Sequence, residues 1–158
     1  METYEDRINK IEQLPGQIAS LVAGLTPAQL TTPFLHSEWT VAQNVHHLFD
    51  SHANSYIRCK LIMSEDIPPL KGYDPNVWAN FPDATDADVS RSLLLLTGLH
   101  HRWVMFWRNL TVANFSRQGM HSESGLVSLN ELLTIYSGHG LAHIDQIKRT
   151  VAAGGIHR

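Results

Sequence analysis

Apolar positions in this 158-residue chain recur at intervals of three and four along most of its length, the spacing that places side chains on one face of an α-helix. Tyr4, Ile8, Ile11 and Leu14 predict a first helix, and Ile18, Leu21, Val22 and Leu25 continue the register beyond Pro15. A proline inside a helix deletes a backbone hydrogen bond and crowds the preceding turn, so a kink or two abutting helices are expected there. Gly24 is the expected stop. Thr26 and Pro27 then read as the N-cap and first-turn proline of a short helical turn leading into the loop at Thr31, Thr32 and Pro33.

A second long helix is expected from Thr40 to about Met63, because Thr40 and Gln43 form a capping box in which each side chain satisfies the other's backbone donor. Val41, Val45, Leu48, Ala53, Tyr56, Cys59 and Ile62 make its apolar rows. Asn44, His47, Asp50 and Asn54 repeat at the same spacing as a polar row, which either lines a cavity or faces solvent. From Ser64 to Ala84 the prolines 68, 69, 75 and 82 break up a connector in which Asp74 caps a short helix carrying Val77 and Trp78. At roughly twenty residues it is longer than ordinary helix connections, so it crosses the length of a bundle or covers a site, and in either use joins parallel neighbours.

A third helix is expected to open at Thr85 with Asp88 and to run to about Leu110 through Val89, Leu93, Leu94, Leu96, Leu99, Trp103, Phe106 and Trp107. His100 and His101 on it read as surface or satisfied core residues. Residues 111–127 predict a small hairpin or ordered loop, and Ser128 with Glu131 opens a last helix that ends at Gly154-Gly155. The whole is an all-α, four-helix bundle in a single domain spanning residues 1–158, with a long connector between helices two and three and a hairpin-like loop before helix four.

Composition narrows the partners. A formal net charge of -3 without any basic run argues against nucleic acid and anionic membranes. No apolar run approaches the roughly 18 residues of a membrane span, and the charged N-terminus carries no export signal, so a cytoplasmic protein acting on a small molecule is expected. The single cysteine, Cys59, sits among apolar neighbours and reads as a packing residue. No strand-turn-helix elbow surrounds Ser51 or Ser137, and no glycine-rich phosphate loop follows a strand, which removes support for a nucleophilic triad or a nucleotide site.

The candidate chemistry lies late in the chain, where His139 and His143 fall one helical turn apart and can reach one point in space. A chain with ten histidines produces about half of one such pair by chance, so the spacing alone is weak. A third imidazole on another predicted helix strengthens it, and Trp39 to Asp50 supplies His46 and His47. Three neutral imidazoles leave an open position on a divalent ion, the pattern of catalytic zinc-type sites. Such an ion activates water for hydrolysis, or equally deprotonates a thiol for attack on an electrophilic carbon. Asp50, one turn from His47, is the acidic candidate for orienting an imidazole or accepting a proton, with a plain surface charge as its alternative. Gln146, one turn after His143, is a weaker one.

Trp39-Thr40, the His47-x-x-Asp50 pair and His139-x-x-x-His143 together resemble the DinB superfamily, and most closely its YfiT-like branch of metal-dependent hydrolases, also described as bacillithiol S-transferases. Segments 45–52, 54–58, 65–66, 73–74 and 122–125 resemble that branch in order and spacing. The resemblance implies an up-down-down-up bundle, a homodimer, and one divalent metal per chain, nickel or zinc ahead of manganese or iron. It implies His47, His139 and His143 as ligands. His47 is preferred over His46 because it lies eight residues after Trp39 as in the family pattern and shares the polar row. Ala142 and Gln146 stand where members of the branch often carry histidines, which puts any shared proton relay and an identical substrate in question. The expected function is metal-dependent hydrolysis of a small molecule. Its alternatives are thiol S-transfer from a low-molecular-weight thiol, a non-catalytic metal-binding stress-response bundle, and an interaction module with no metal.

Overall fold

A computed structural model describes residues 2–156. Four long helices, α1 (Tyr4–Val22), α3 (Val41–Ser64), α5 (Ser90–Arg108) and α6 (Leu129–Ala153), form the bundle. Two short helices, α2 (Pro27–Thr31) and α4 (Pro75–Trp78), lie in the connections. The starts of α3 and α6 follow from their capping boxes: Gln43 N–H donates to Thr40 Oγ1 and Glu131 N–H donates to Ser128 Oγ, with each Glu or Gln carboxyl or amide returning a bond to the cap.

Paired positions along facing helices give the directions. Between α3 and α5, His46 meets Ser92 and His52 meets His100, so numbers rise together and the helices are parallel. Asn44 meets His143 and His47 meets His139, so α3 and α6 are antiparallel. Arg7 bonds Asn130 while Leu14 abuts Gly140, making α1 and α6 parallel, and Arg108 reaches back to Glu5, making α1 and α5 antiparallel. The topology is up-down-down-up, as the long α3–α5 connection requires.

Two expectations are corrected. Helix α1 runs unbroken through Pro15, which is buried. Helix α5 begins at Ser90, not at Thr85: Asp88 Oδ1 accepts from both the N–H and the hydroxyl of Ser90, and Thr85 turns back to the Phe81 and Pro82 carbonyls. That local side-chain pairing holds residues 85–88 outside the helix.

The connector and the loop before α6 form one unit. Strands β2 (Gln118–His121) and β3 (Gly125–Ser128) make the predicted hairpin, and β1 (Pro69–Leu70), which the sequence pattern does not signal, pairs parallel to β2 with Pro69 opposite Met120. Gly72 N–H then donates to Ser122 Oγ at 2.8 Å. These bonds press residues 70–75 against the middle of α3.

The core has two apolar halves. One gathers Ile8, Ile11, Cys59, Ile62, Trp103, Trp107, Leu129 and Leu133; the other gathers Leu14, Ile18, Val41, Val45, Leu48, Leu96 and Ile147. Full burial of each large side chain is worth about 1.5–3 kcal/mol before the entropy of ordering it. Cys59 is fully buried, and burial pushes its thiol up to about 12, which makes it a packing residue. Between the two halves runs a layer of buried histidines.

Candidate metal centre

Every turn of α6 from Tyr136 to Ile147 presents a residue to the bundle interior, and His139 and His143 occupy the two turns between those apolar anchors. Gly140 lets the helix approach α1 closely enough for this: a Cβ built there would stand 2.6 Å from Leu14 Cδ2. On α3 the interior row is Val41, Val45, Leu48, His52, Ser55, Cys59 and Ile62, with Asn44, His47 and Ser51 one step round the helix toward α6.

The structure brings His47, His139 and His143 together. Their ligand-type nitrogens all lie within 4.8 Å of one another, with His139 Nε2 at 3.1 Å from His143 Nε2 and 3.4 Å from His47 Nε2. Two nitrogens bound to one ion at about 2.0–2.1 Å and a tetrahedral angle stand about 3.3 Å apart, so the spacing fits a divalent metal. The ring of Trp39 covers the cluster, 4.6 Å from the His47 ring and stacked at 6.1 Å on His143.

Hydrogen bonds behind the cluster fix which nitrogen carries the proton. Asn44, fully buried, donates from Nδ2 to the Thr40 carbonyl at 2.9 Å, which leaves Oδ1 to accept from His143 Nδ1–H at 2.7 Å. A second chain reaches His139. His100 Nδ1–H donates to the Ile11 carbonyl at 2.5 Å, so His100 Nε2 accepts from His52 Nδ1–H at 2.8 Å, and His52 Nε2 accepts from His139 Nδ1–H at 3.0 Å. Each neutral imidazole has one donor and one acceptor, and burial keeps them neutral: it lowers His100 and His139 to about 4 and His52 well below the ordinary value. Burial, then the neighbouring imidazoles, brings His47 to about 4 and His143 to about 3. Both His139 and His143 therefore aim an unprotonated Nε2 at the same point. Two lone pairs 3.1 Å apart cannot bond each other, and a cation between them relieves the conflict.

Asp50 does not join this cluster. It stands three residues, about 300° of helical rotation, beyond His47 and lines a separate cavity with His46, Asp83, Asp86 and Asp88. Burial and the Asp83 carboxylate raise its pKa. His46 lies there too, bonded to Ser92 Oγ at 2.7 Å and the Asp86 carbonyl at 2.9 Å, so it is satisfied elsewhere and His47 takes the inward place. Gln146 is absent from the bonds and lining of the site. Asn44, His52 and His100 support the cluster from behind, a role that helical spacing alone does not signal. The signal for the histidines was a gap: His52 fills the missing step between Leu48 and Cys59, and His100 that between Leu96 and Trp103, in rows that are otherwise apolar.

A cavity of about 280 Å³ opens beside the cluster, lined by His47, Ser51, Arg58, Gly72, Tyr73, Pro75, His121, Glu123 and His139. Burial raises the pKa of Tyr73, against a hydrogen bond with Ser51, so its hydroxyl is protonated at neutral pH. A larger groove of about 680 Å³ between α1 and α6 contains neither histidine nor carboxylate. The smaller cavity is the one with chemistry.

A four-helix bundle whose middle layer converges three imidazoles, two buried and one half-buried, beside a small cavity defines a class of metal-binding helical proteins. The chain belongs to the DinB superfamily, whose family model matches residues 10–147. It is 40% identical over 152 residues to "Putative metal-dependent hydrolase YfiT" of Bacillus subtilis, covering 94% of this chain and 85% of that one. A Bacillus mycoides relative with the same description is 40% identical over 146 residues, covering 92% and 84%. The solved structure of Bacillus subtilis YfiT, described as a "probable metal-dependent hydrolase with an unusual four-helix bundle topology", superposes with a TM-score of 0.92 at 37% identity, covering 98% of this chain and 89% of that one. Among the described residues no helix is long and apolar enough to cross a membrane.

Proposed function

We propose that the chain is a metal-dependent hydrolase of a small molecule, with one divalent ion held by Nε2 of His47, His139 and His143. The observation that carries this reading is the pair of tautomer-fixed lone pairs 3.1 Å apart, with His47 Nε2 3.4 Å from one of them. The descriptions of the relatives support it. Imidazole donors suit zinc and nickel, the ions this reading prefers. Bound there, the ion supplies Lewis acidity and lowers the pKa of a proton-bearing ligand at its open positions. Asn44 and His52 hold two of the three rings in the donating orientation, Trp39 closes one side to water, and Ser51 and Tyr73 present hydroxyls to a substrate in the cavity. The adjoining cavity favours a catalytic over a purely structural site.

Metal analysis of untagged protein tests the reading, beside His143→Ala and a panel of esters and amides. About one equivalent of metal, lost in the variant together with hydrolysis, is expected. Less than about a tenth of an equivalent, unrestored by added nickel, zinc or manganese, would remove it. Conjugation of thiols to electrophiles without any hydrolysis would replace it with S-transfer.

A further inference from the structure

The cavity beside the imidazoles has a second end, and its chemistry is different. Arg58 lies three turns along α3 from His47, about 16 Å down the helix axis, with its long side chain leaning back toward the histidines. It is only 8% exposed. Arginine reaches such burial when its charge has a partner. Yet no salt bridge among the described residues engages it. Its Nη2 donates to the Lys71 carbonyl at 2.5 Å, and none of its nitrogens is among the sealed polar atoms left without a partner. The remaining donors of the guanidinium are therefore open to solvent, and Arg58 lines the cavity. Burial and then the Arg58 charge hold His121 across the cavity below its ordinary pKa, against a weaker upward pull from Glu123. Glu123 is the one carboxylate lining this cavity; it is exposed and forms no ion pair with Arg58.

We propose that Arg58 forms an anion subsite, and that the substrate acted on at the three imidazoles is a small molecule carrying a carboxylate at its far end. The planar fork of a guanidinium matches a carboxylate with two parallel hydrogen bonds, and a buried setting strengthens them relative to water. The volume of about 280 Å³ limits the occupant to a small metabolite. Lys71 and Gly72 stand beside the Arg58 guanidinium, and His121 and Glu123 of the hairpin turn line the same cavity, so the pairing of β1 with β2 and the Gly72–Ser122 bond hold this end of the cavity together. The reacting end of the inference rests on the proposed metal site; the anion subsite itself needs only Arg58.

The experiment titrates metal-free protein with glutarate and with its neutral counterpart glutaramide at constant ionic strength, following the Arg58 Nε–H resonance by ¹⁵N NMR and affinity by calorimetry. Glutarate should shift that resonance saturably and glutaramide should not. Arg58→Gln should weaken glutarate about tenfold, Arg58→Lys, which keeps the charge and loses the fork, severalfold, and the exposed Glu123→Gln should tighten it severalfold by removing a competing carboxylate. Should Arg58→Gln fail to fold, the other two variants decide the matter. Equal binding of the two ligands, no glutarate binding, or indifference to the variants overturns the subsite. Metal content of the same preparations is read separately: glutarate binding without metal uptake sinks only the hydrolase reading, and metal uptake without discrimination sinks only the subsite.

Discussion

His100 Nδ1 lies 2.5 Å from the carbonyl oxygen of Ile11, the carbonyl that Pro15, four residues further along α1, leaves without its helical donor. The proline thus explains both why the helix need not break and why a histidine is buried opposite it. The vacant acceptor is filled from α5, and that bond sets the tautomer of His100, then of His52, then of His139. One missing N–H on α1 is linked to the direction of a lone pair in the metal centre.

The linkage predicts coupled stabilities. In His100→Leu the Ile11 carbonyl is left unsatisfied in the core, at a cost of about 1–3 kcal/mol. Pro15→Ala restores an N–H at the position that serves Ile11, so the same leucine substitution should cost about 1 kcal/mol less in that background. Urea unfolding of the four proteins measures the coupling, and additivity would break the connection.

Asn44 and His46 should behave oppositely although only Val45 separates them. Asn44→Ala removes the acceptor that orients His143, and loss of such a support typically lowers metal affinity 10–100-fold. His46→Ala should leave the affinity unchanged, because His46 is bonded to Ser92 and Asp86 away from the cluster. Competition with a chromophoric zinc chelator distinguishes them.

Metal-free protein should lose stability as pH falls below about 6.5. Folding holds His47, His100 and His139 at about 4 and His143 at about 3, with His52 also depressed, so between those values and 6.5 the unfolded chain binds protons that the native chain does not. Stability then rises with pH across this window, is fully present above the unfolded value, and flattens below the native ones. Unfolding free energies from pH 7.5 to 4.5 should show a slope of several protons, smaller in His143→Ala. A flat profile would contradict burial of the layer as neutral imidazoles.

Much of this architecture was legible from local chemistry. Capping boxes at Thr40 and Ser128 placed the starts of α3 and α6, and the Asp74-Pro75 pair placed α4, because caps act within three residues. The convergence of His139 and His143 followed from helical spacing alone. What escaped was non-local. The continuity of α1 depends on a donor from residue 100, β1 exists only because β2 lies beside it, and Asp50 was misdirected by spacing that ignored a 60° offset between positions three apart. His100 is the satisfied core histidine that its apolar row allows, but its link to the site, and that of His52, depends on which helices face each other.

Gly140 gives the most direct test of how the bundle's packing serves the site. It is buried between the two α6 histidines, where α6 rests on Leu14, itself 2% exposed, and an alanine methyl there would meet the leucine side chain at 2.6–2.8 Å. Leu14 is enclosed by the core half it shares with Ile18, Val45, Leu48 and Ile147, so it cannot swing clear, and overpacking of this kind costs about 1–3 kcal/mol. Relief comes from moving α6 away from α1, which carries His139 and His143 relative to His47 on α3. Gly140→Ala should therefore lower both the unfolding free energy and zinc affinity, although alanine is the better helix former. Gly138→Ala, where nothing lies within 4 Å of the added carbon, should leave zinc affinity unchanged and stabilise the helix by up to about 1 kcal/mol. Equal behaviour of the two variants in denaturation and zinc competition would show that the α1–α6 approach does not position the imidazoles.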